Sequence, residues 1–172
     1  MFVLGIDPGL SRCGYGLVAG TGDRSTRPAG VAAVTAGVLE TDPDTALPER
    51  LCLLRDELRR LMVEHRPDVV AVERVFFQVN ARTAMSVGQA SGLALAEAAA
   101  AGAEVAQYTS NEVKQALAAW GAADKAQVRR MVATVLGLAT VPGPPDVADA
   151  LALAVCHLFA APVRRAVAEA RR

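Results

Sequence analysis

The chain has 172 residues, with 18 basic and 18 acidic side chains, 52% hydrophobic residues and only 4% aromatic ones. That is enough for one domain with a proper core, which must be built from Ala, Val and Leu. Zero net charge argues against a protein that coats nucleic acid through bulk charge. The longest apolar stretch, 81–101, carries Arg82, Gln89 and Glu97 and does not read as a membrane span.

In chain order, Phe2-Val3-Leu4-Gly5-Ile6-Asp7 reads as a buried first strand and 14–20 as a second, joined by a Gly-rich turn from Pro8 to Arg12. Residues 30–39 suit a third strand, with 20–29 as a hairpin tip. Leu51, Leu54, Leu58 and Leu61 line one face of an amphipathic helix over 49–65. Pro67 ends it, and a strand over 68–73 follows. Residues 74–82 are loop-like. A small-residue helix then runs over 82–101 and is closed by Gly102. A fifth strand spans Glu104 to Tyr108. Thr109 with Glu112 signals a capped helix through Trp120, and Asp124 caps another to Leu136. The proline-rich connector 141–145 delivers Asp146 to a last helix expected to end near Ala161-Pro162. A single domain over 1–162 would then leave a basic tail, 163–172, expected to fray. Three strands followed by helix, strand, helix, strand and helices spell an α/β fold, a mixed sheet covered by helices. Cys13, Cys52 and Cys156 are widely spaced and read as reduced thiols of a cytoplasmic protein. The first residues lack the features of a secretory signal.

Four carboxylates carry the chemistry. Asp7 and Glu73 close two apolar strands that contain no Lys or Arg. Asp146 and Asp149, three apart, share one face of the first turn of the last helix. Each has an ordinary reading alone: an Asp-Pro-Gly turn, a strand-end carboxylate, acids favoured at a helix N-terminus by its dipole. Together they fall where one α/β sheet would gather them. Charges buried at strand ends cost several kcal/mol unless neutralised. A hard cation such as Mg²⁺, held by a few carboxylates plus water and phosphate, is an economical answer.

The segments GIDPGLSRCGYGLV (5–18), VAVERVFF (70–77), NARTAMSVGQASG (80–92), Tyr108-Thr109 with EVKQALAAWGAADKAQV (112–128), and PPDVADALALAVCH (144–157) are specific in this order and spacing. They resemble the RuvC family of bacterial Holliday-junction resolvases, of the ribonuclease H-like superfamily, over about residues 2–161. The resemblance implies a ribonuclease H-like five-stranded mixed sheet flanked by helices. It makes Asp7, Glu73, Asp146 and Asp149 the catalytic acids, holding two Mg²⁺ about 4 Å apart, with Mn²⁺ able to substitute. Some relatives carry His at the position of Asp146, so whether it ligates or assists the attacking water stays open. Phe76 would stack on an unpaired base near the junction centre, with Phe77 the alternative. Lys114 and Lys125 would meet DNA phosphates. Asn80, Arg82, Ser86 and Gln89 would face the junction. His65 and His157 read as structural.

The family reading further implies paired nicks in a four-way DNA junction during recombination and repair, with 5′-phosphate and 3′-hydroxyl ends. It also implies a homodimer using part of 82–101, and partnership with the RuvA and RuvB branch-migration proteins. Two rivals remain at this level. One is a phosphotransferase of the actin and Hsp70 kind, whose first strand also ends Gly-Ile-Asp-x-Gly but which needs a second domain. The other is a junction-binding module without catalysis, which has no use for four acids.

Overall fold

The structure, a computed structural model, describes residues 1–20, 30–74, 81–118 and 123–170, the side chains of 81–83 and 161–170 excepted. Strands β1 (Phe2–Asp7), β2 (Arg12–Gly20), β3 (Val31–Glu40), β4 (Val69–Glu73) and β5 (Glu104–Tyr108) form one sheet in the order β3-β2-β1-β4-β5. The first three strands pair antiparallel, β1 with β2 and β2 with β3. β4 and β5 add in parallel on the other side of β1, because helices α1 (Leu47–His65) and α2 (Ala81–Ala100) carry the chain back between them. This is the mixed five-stranded sheet expected from the order of elements.

Side chains alternate along a strand, so each strand sorts its residues between two faces. Leu4, Ile6, Leu17, Val70 and Val72 point toward α1 and α2, where Leu54, Leu58 and Leu61 meet Ala90, Ala94 and Ala98. The alanines recur every fourth residue, which lets α2 lie close to the sheet. Arg59 on α1 forks onto the buried Glu97 of α2 at 3.0 and 3.1 Å, tying the two helices together.

The opposite face carries Val3, Val69, Ala71, Ala106 and Tyr108 against α3 (Ser110–Ala118), α4 (Lys125–Leu136) and α5 (Pro145–Ala170). Here the sheet is pared down to glycine under α5. A Cβ on Gly5 would collide with the carbonyl oxygen of Ala150, and one on Gly14 with that of Asp146. Helix backbone therefore rests on strand backbone. That contact fixes the height of the first turn of α5 above the ends of the strands.

Several boundaries, including the start of α1 at Leu47, fall within two residues of the sequence reading, and two of the differences have a clear physical reason. β2 begins at Arg12, because its antiparallel register with β3 continues to Arg12 opposite Glu40. α5 continues beyond Pro162 to Ala170. A proline removes one helical hydrogen bond, but the following Val-Arg-Arg-Ala-Val-Ala-Glu-Ala is rich in helix formers that resume the helix. The expected hairpin tip falls mostly on 21–29, and the end of the helix toward Trp120 on 119–122, both outside the described residues. Among the described residues no helix is long and apolar enough to cross a membrane.

Candidate active site

Asp7 and Glu73 end adjacent parallel strands. The register pairs Ile6 with Val72, so the two acids stand side by side at the same edge of the sheet, on the face that α5 covers. Asp146 and Asp149 come down to them from the first turn of α5, which Pro145 opens. Two capping boxes set the other wall. Thr109 and Glu112 exchange hydrogen bonds at 2.7 and 3.1 Å and begin α3, which carries Lys114. Asp124 and Gln127 do the same at 2.7 and 2.9 Å and begin α4, whose first residue is Lys125. Local sequence thus decides where both lysines leave the backbone.

The acids crowd one another. Burial, then the charges of Glu73 and Asp149, push the Asp7 carboxyl up to about 7. Glu73 is raised as well, chiefly by burial, while its hydrogen bond with Asp7 opposes the rise. Asp7 and Glu73 therefore share a proton when nothing positive sits between them. The two acids of α5 have cationic partners instead. Lys125 Nζ lies 2.8 Å from Asp149 Oδ2, a hydrogen bond that raises the lysine's own pKa. Arg12 Nη2 lies 3.2 Å from Asp146 Oδ2.

Among the described residues, no three His, Cys, Asp or Glu side chains are gathered tightly enough to enclose an ion by themselves. Lys125 and Arg12 draw the helix acids aside, and Asp7 is bonded to Glu73. The donor set still suits a hard divalent cation. Mg²⁺ retains waters and takes only one or two carboxylates from a protein. Asp7 and Glu73 are a half-buried carboxyl pair whose full ionisation is favoured by a positive partner.

A cleft of about 190 Å³ opens in front of these groups, lined by Asp7, Glu73 and Asp149, by Ser110, Lys114 and Lys125, and by Val113, Val128, Ala152 and Leu153. Of the residues singled out from sequence, five meet here: Asp7, Glu73, Asp149, Lys114 and Lys125. Asp146 is close enough to act on the charge of Asp7 but does not line the cleft and is turned to Arg12. Gln89 and Ser86 lie on α2, on the opposite face of the sheet from the α5 acids. Phe76, Phe77 and Asn80, and the side chain of Arg82, lie outside the described residues.

Sequence reasoning missed Ser110 and Arg12. Ser110 follows a recognised cap and could have been placed at the helix start. Arg12 has the same parity as Gly14 on β2, which puts both on the α5 face once the strand is known to begin at 12. His157 accepts or donates a 2.9 Å hydrogen bond with Tyr108, both side chains buried edge to face. No disulfide joins Cys13, Cys52 and Cys156.

A mixed sheet in this order, with acids ending its two central strands and more acids on the helix laid across them, defines a nuclease of ribonuclease H-like fold. The family model for crossover junction endodeoxyribonuclease RuvC matches residues 3–157. A crossover junction endodeoxyribonuclease RuvC of Salinispora arenicola is 50% identical over 170 residues, covering 99% of this chain and 94% of that one. The structure of Thermus thermophilus RuvC aligns with a TM-score of 0.86 at 38% identity, over 95% of this chain and 97% of that chain. The same organism's RuvC in complex with a Holliday junction substrate aligns at 0.84 and 36% identity, over 95% and 96%. The chain belongs to the RuvC family of crossover junction endodeoxyribonucleases.

Proposed function

We propose that this protein resolves four-way DNA junctions by paired, divalent-metal-dependent nicks that leave 5′-phosphate and 3′-hydroxyl ends. The observation that carries the reading is the Asp7–Glu73 pair, half-buried side by side at the strand ends with Asp149 beside it and two lysines facing it across a cleft. Asp7, Glu73 and Asp149 would hold the cations, Mg²⁺ or in its place Mn²⁺, with Asp146 as ligand or helper of the attacking water. Bound there, two such ions supply an activated water and neutralise the leaving 3′ oxygen.

The remaining work belongs to the chain. Lys114 and Lys125 supply point charges for the phosphates on either side of the scissile bond. Lys125 has to leave Asp149 to do so, and because its side chain is 79% exposed that pair is a weak one. Val113, Val128 and Leu153 make the cleft floor apolar, which excludes water from the flanks of the reacting phosphate. Phe76, three residues beyond Glu73, would stack on a base at the junction centre, with Phe77 as the alternative. Asn80, Arg82 and Gln89 would be further contacts to the junction.

Resolution needs two matched sites, so a two-fold homodimer fits a two-fold junction. Met85, Gly88 and Gly92 are exposed along one side of α2, and the two glycines leave open space around them. That is the surface we assign to the dimer contact. Work with RuvA and RuvB in the cytoplasm completes the reading. Its test is cleavage of a labelled four-way junction beside linear duplex of the same sequence, in Mg²⁺ or EDTA. Symmetric nicks confined to the junction and lost in EDTA are expected. Cutting that persists in EDTA, or equal cutting of duplex, would sink it.

A further inference from the structure

Arg12 was read from sequence as part of a turn, yet its guanidinium reaches the acid cluster. Its backbone is firmly placed. Thr41 Oγ1 donates to the Leu10 carbonyl at 2.6 Å, and Arg50 reaches Ser11 Oγ at 2.6 Å and Thr41 Oγ1 at 3.0 Å. Two residues on, Gly14 sits under the Asp146 backbone, so strand parity aims Arg12 at the same helix turn. The end of the side chain is not so fixed. It lies between two carboxylates, 3.2 Å from Asp146 and 3.9 Å from Glu40, its partner across the β2–β3 pair. All three side chains are open to solvent to some degree, at 46% for Arg12, 28% for Asp146 and 67% for Glu40. Ion pairs this exposed are weak, so exchanging one for the other costs little.

We infer that Arg12 is a positioning residue for Asp146, a releasable counter-ion that holds this carboxylate until a divalent cation claims it and then turns to Glu40. The inference rests on the metal-dependent reading above. Asp146 is the one acid of the four that does not line the cleft, and Arg12 is the group holding it aside. Glu40 offers the guanidinium a second anion within reach, so release does not strand a charge.

The test is Mg²⁺ binding without DNA, followed by calorimetry and by the rise of Tm with Mg²⁺, in the parent, Arg12→Gln, Glu40→Gln and the double variant. Arg12→Gln removes the competitor and binds Mg²⁺ up to about fivefold more tightly, the limit set by an exposed pair. Glu40→Gln removes the alternative anion and weakens binding by a smaller factor. In the Arg12→Gln background, Glu40→Gln changes nothing, because its effect runs through the arginine. Arg12→Lys keeps the charge and stays near the parent. Additive effects in the double variant mean two independent surface charges, and the inference fails alone. No Mg²⁺ binding by the parent removes the metal reading and this inference together.

Discussion

The two faces of the sheet are built on opposite plans. Toward α1 and α2 the strands present Leu4, Ile6, Leu17, Val70 and Val72, large side chains that separate helix from sheet by a layer of aliphatic atoms. Toward α5 they present Gly5 and Gly14, and helix backbone touches strand backbone. A side-chain layer can relax around a change, whereas backbone on backbone cannot. The acids sit at the end of the second face, so the chain places its chemistry where geometry is least adjustable.

The sharpest way to separate placement from stability is to change an acid itself. Asp7→Asn should lower junction cleavage by more than the roughly 10–100-fold that losing an outer-shell partner of a metal site costs. It should leave the metal-free protein as stable as the parent or more so, since it relieves repulsion with Glu73. Single-turnover cleavage and denaturant melts, measured together, check both halves. Cleavage within tenfold of the parent would remove Asp7 from the site.

Gly5→Ala tests the backbone contact. One methyl group meets the Ala150 carbonyl, so α5 must lift, and overpacking of this kind costs about 1–3 kcal/mol or more. Because Asp146 and Asp149 lift with the helix, cleavage by the folded fraction should fall on the order of 100-fold, as for a misplacement near 1 Å. Leu58→Ala makes the matching change on the other face. Leu58 is fully buried, and its truncation should cost about 2–5 kcal/mol. Per folded molecule, cleavage should stay within about twofold, because the aliphatic layer absorbs the cavity. If Leu58→Ala damages catalysis as much as Gly5→Ala, the contrast between the faces is wrong.

That contrast was only half legible in the sequence. Strand ends, caps and the helix entry at Asp146 are local signals, and Asp7, Glu73 and Asp149 were placed by them. Lys114 and Lys125 were singled out only by the family resemblance, and the capping boxes explain why the helices aim them at the cleft. Arg12 escaped because its role depends on strand parity, and parity depends on where β2 starts. Pairing with Glu40 on β3 sets that start, a contact 28 residues away that no local pattern announces. The continuation of α5 past Pro162 escaped for the opposite reason. A strong local stop signal was overridden by the helix formers behind it. The purpose of Gly5 and Gly14 also needed the structure, since a glycine in a strand says only that something comes close.

The smallest effect expected is a pH dependence confined to the metal-free protein. Asp7 has an ordinary value of 3.8 when exposed and about 7 in the folded chain. Below pH 4 both states hold the proton and the folded state bears no penalty. Between about pH 4 and 7 the unfolded chain releases it while the folded chain keeps it, so stability declines as pH rises, and the loss is complete above 7. One proton limits the slope to about 1.4 kcal/mol per pH unit, and sharing with Glu73 across an open cleft makes it smaller. Melting in EDTA from pH 5 to 8 should therefore lower the Tm of the parent relative to Asp7→Asn by a few degrees, at about 2–4 °C per kcal/mol for a chain this size. Mg²⁺ should close the gap at pH 8 and do little at pH 5, because the cation and the proton compete for the same oxygens. Parallel curves for the two proteins in EDTA would mean that Asp7 is not under strain, and with it would go the electrostatic reason for placing a cation between the strand ends.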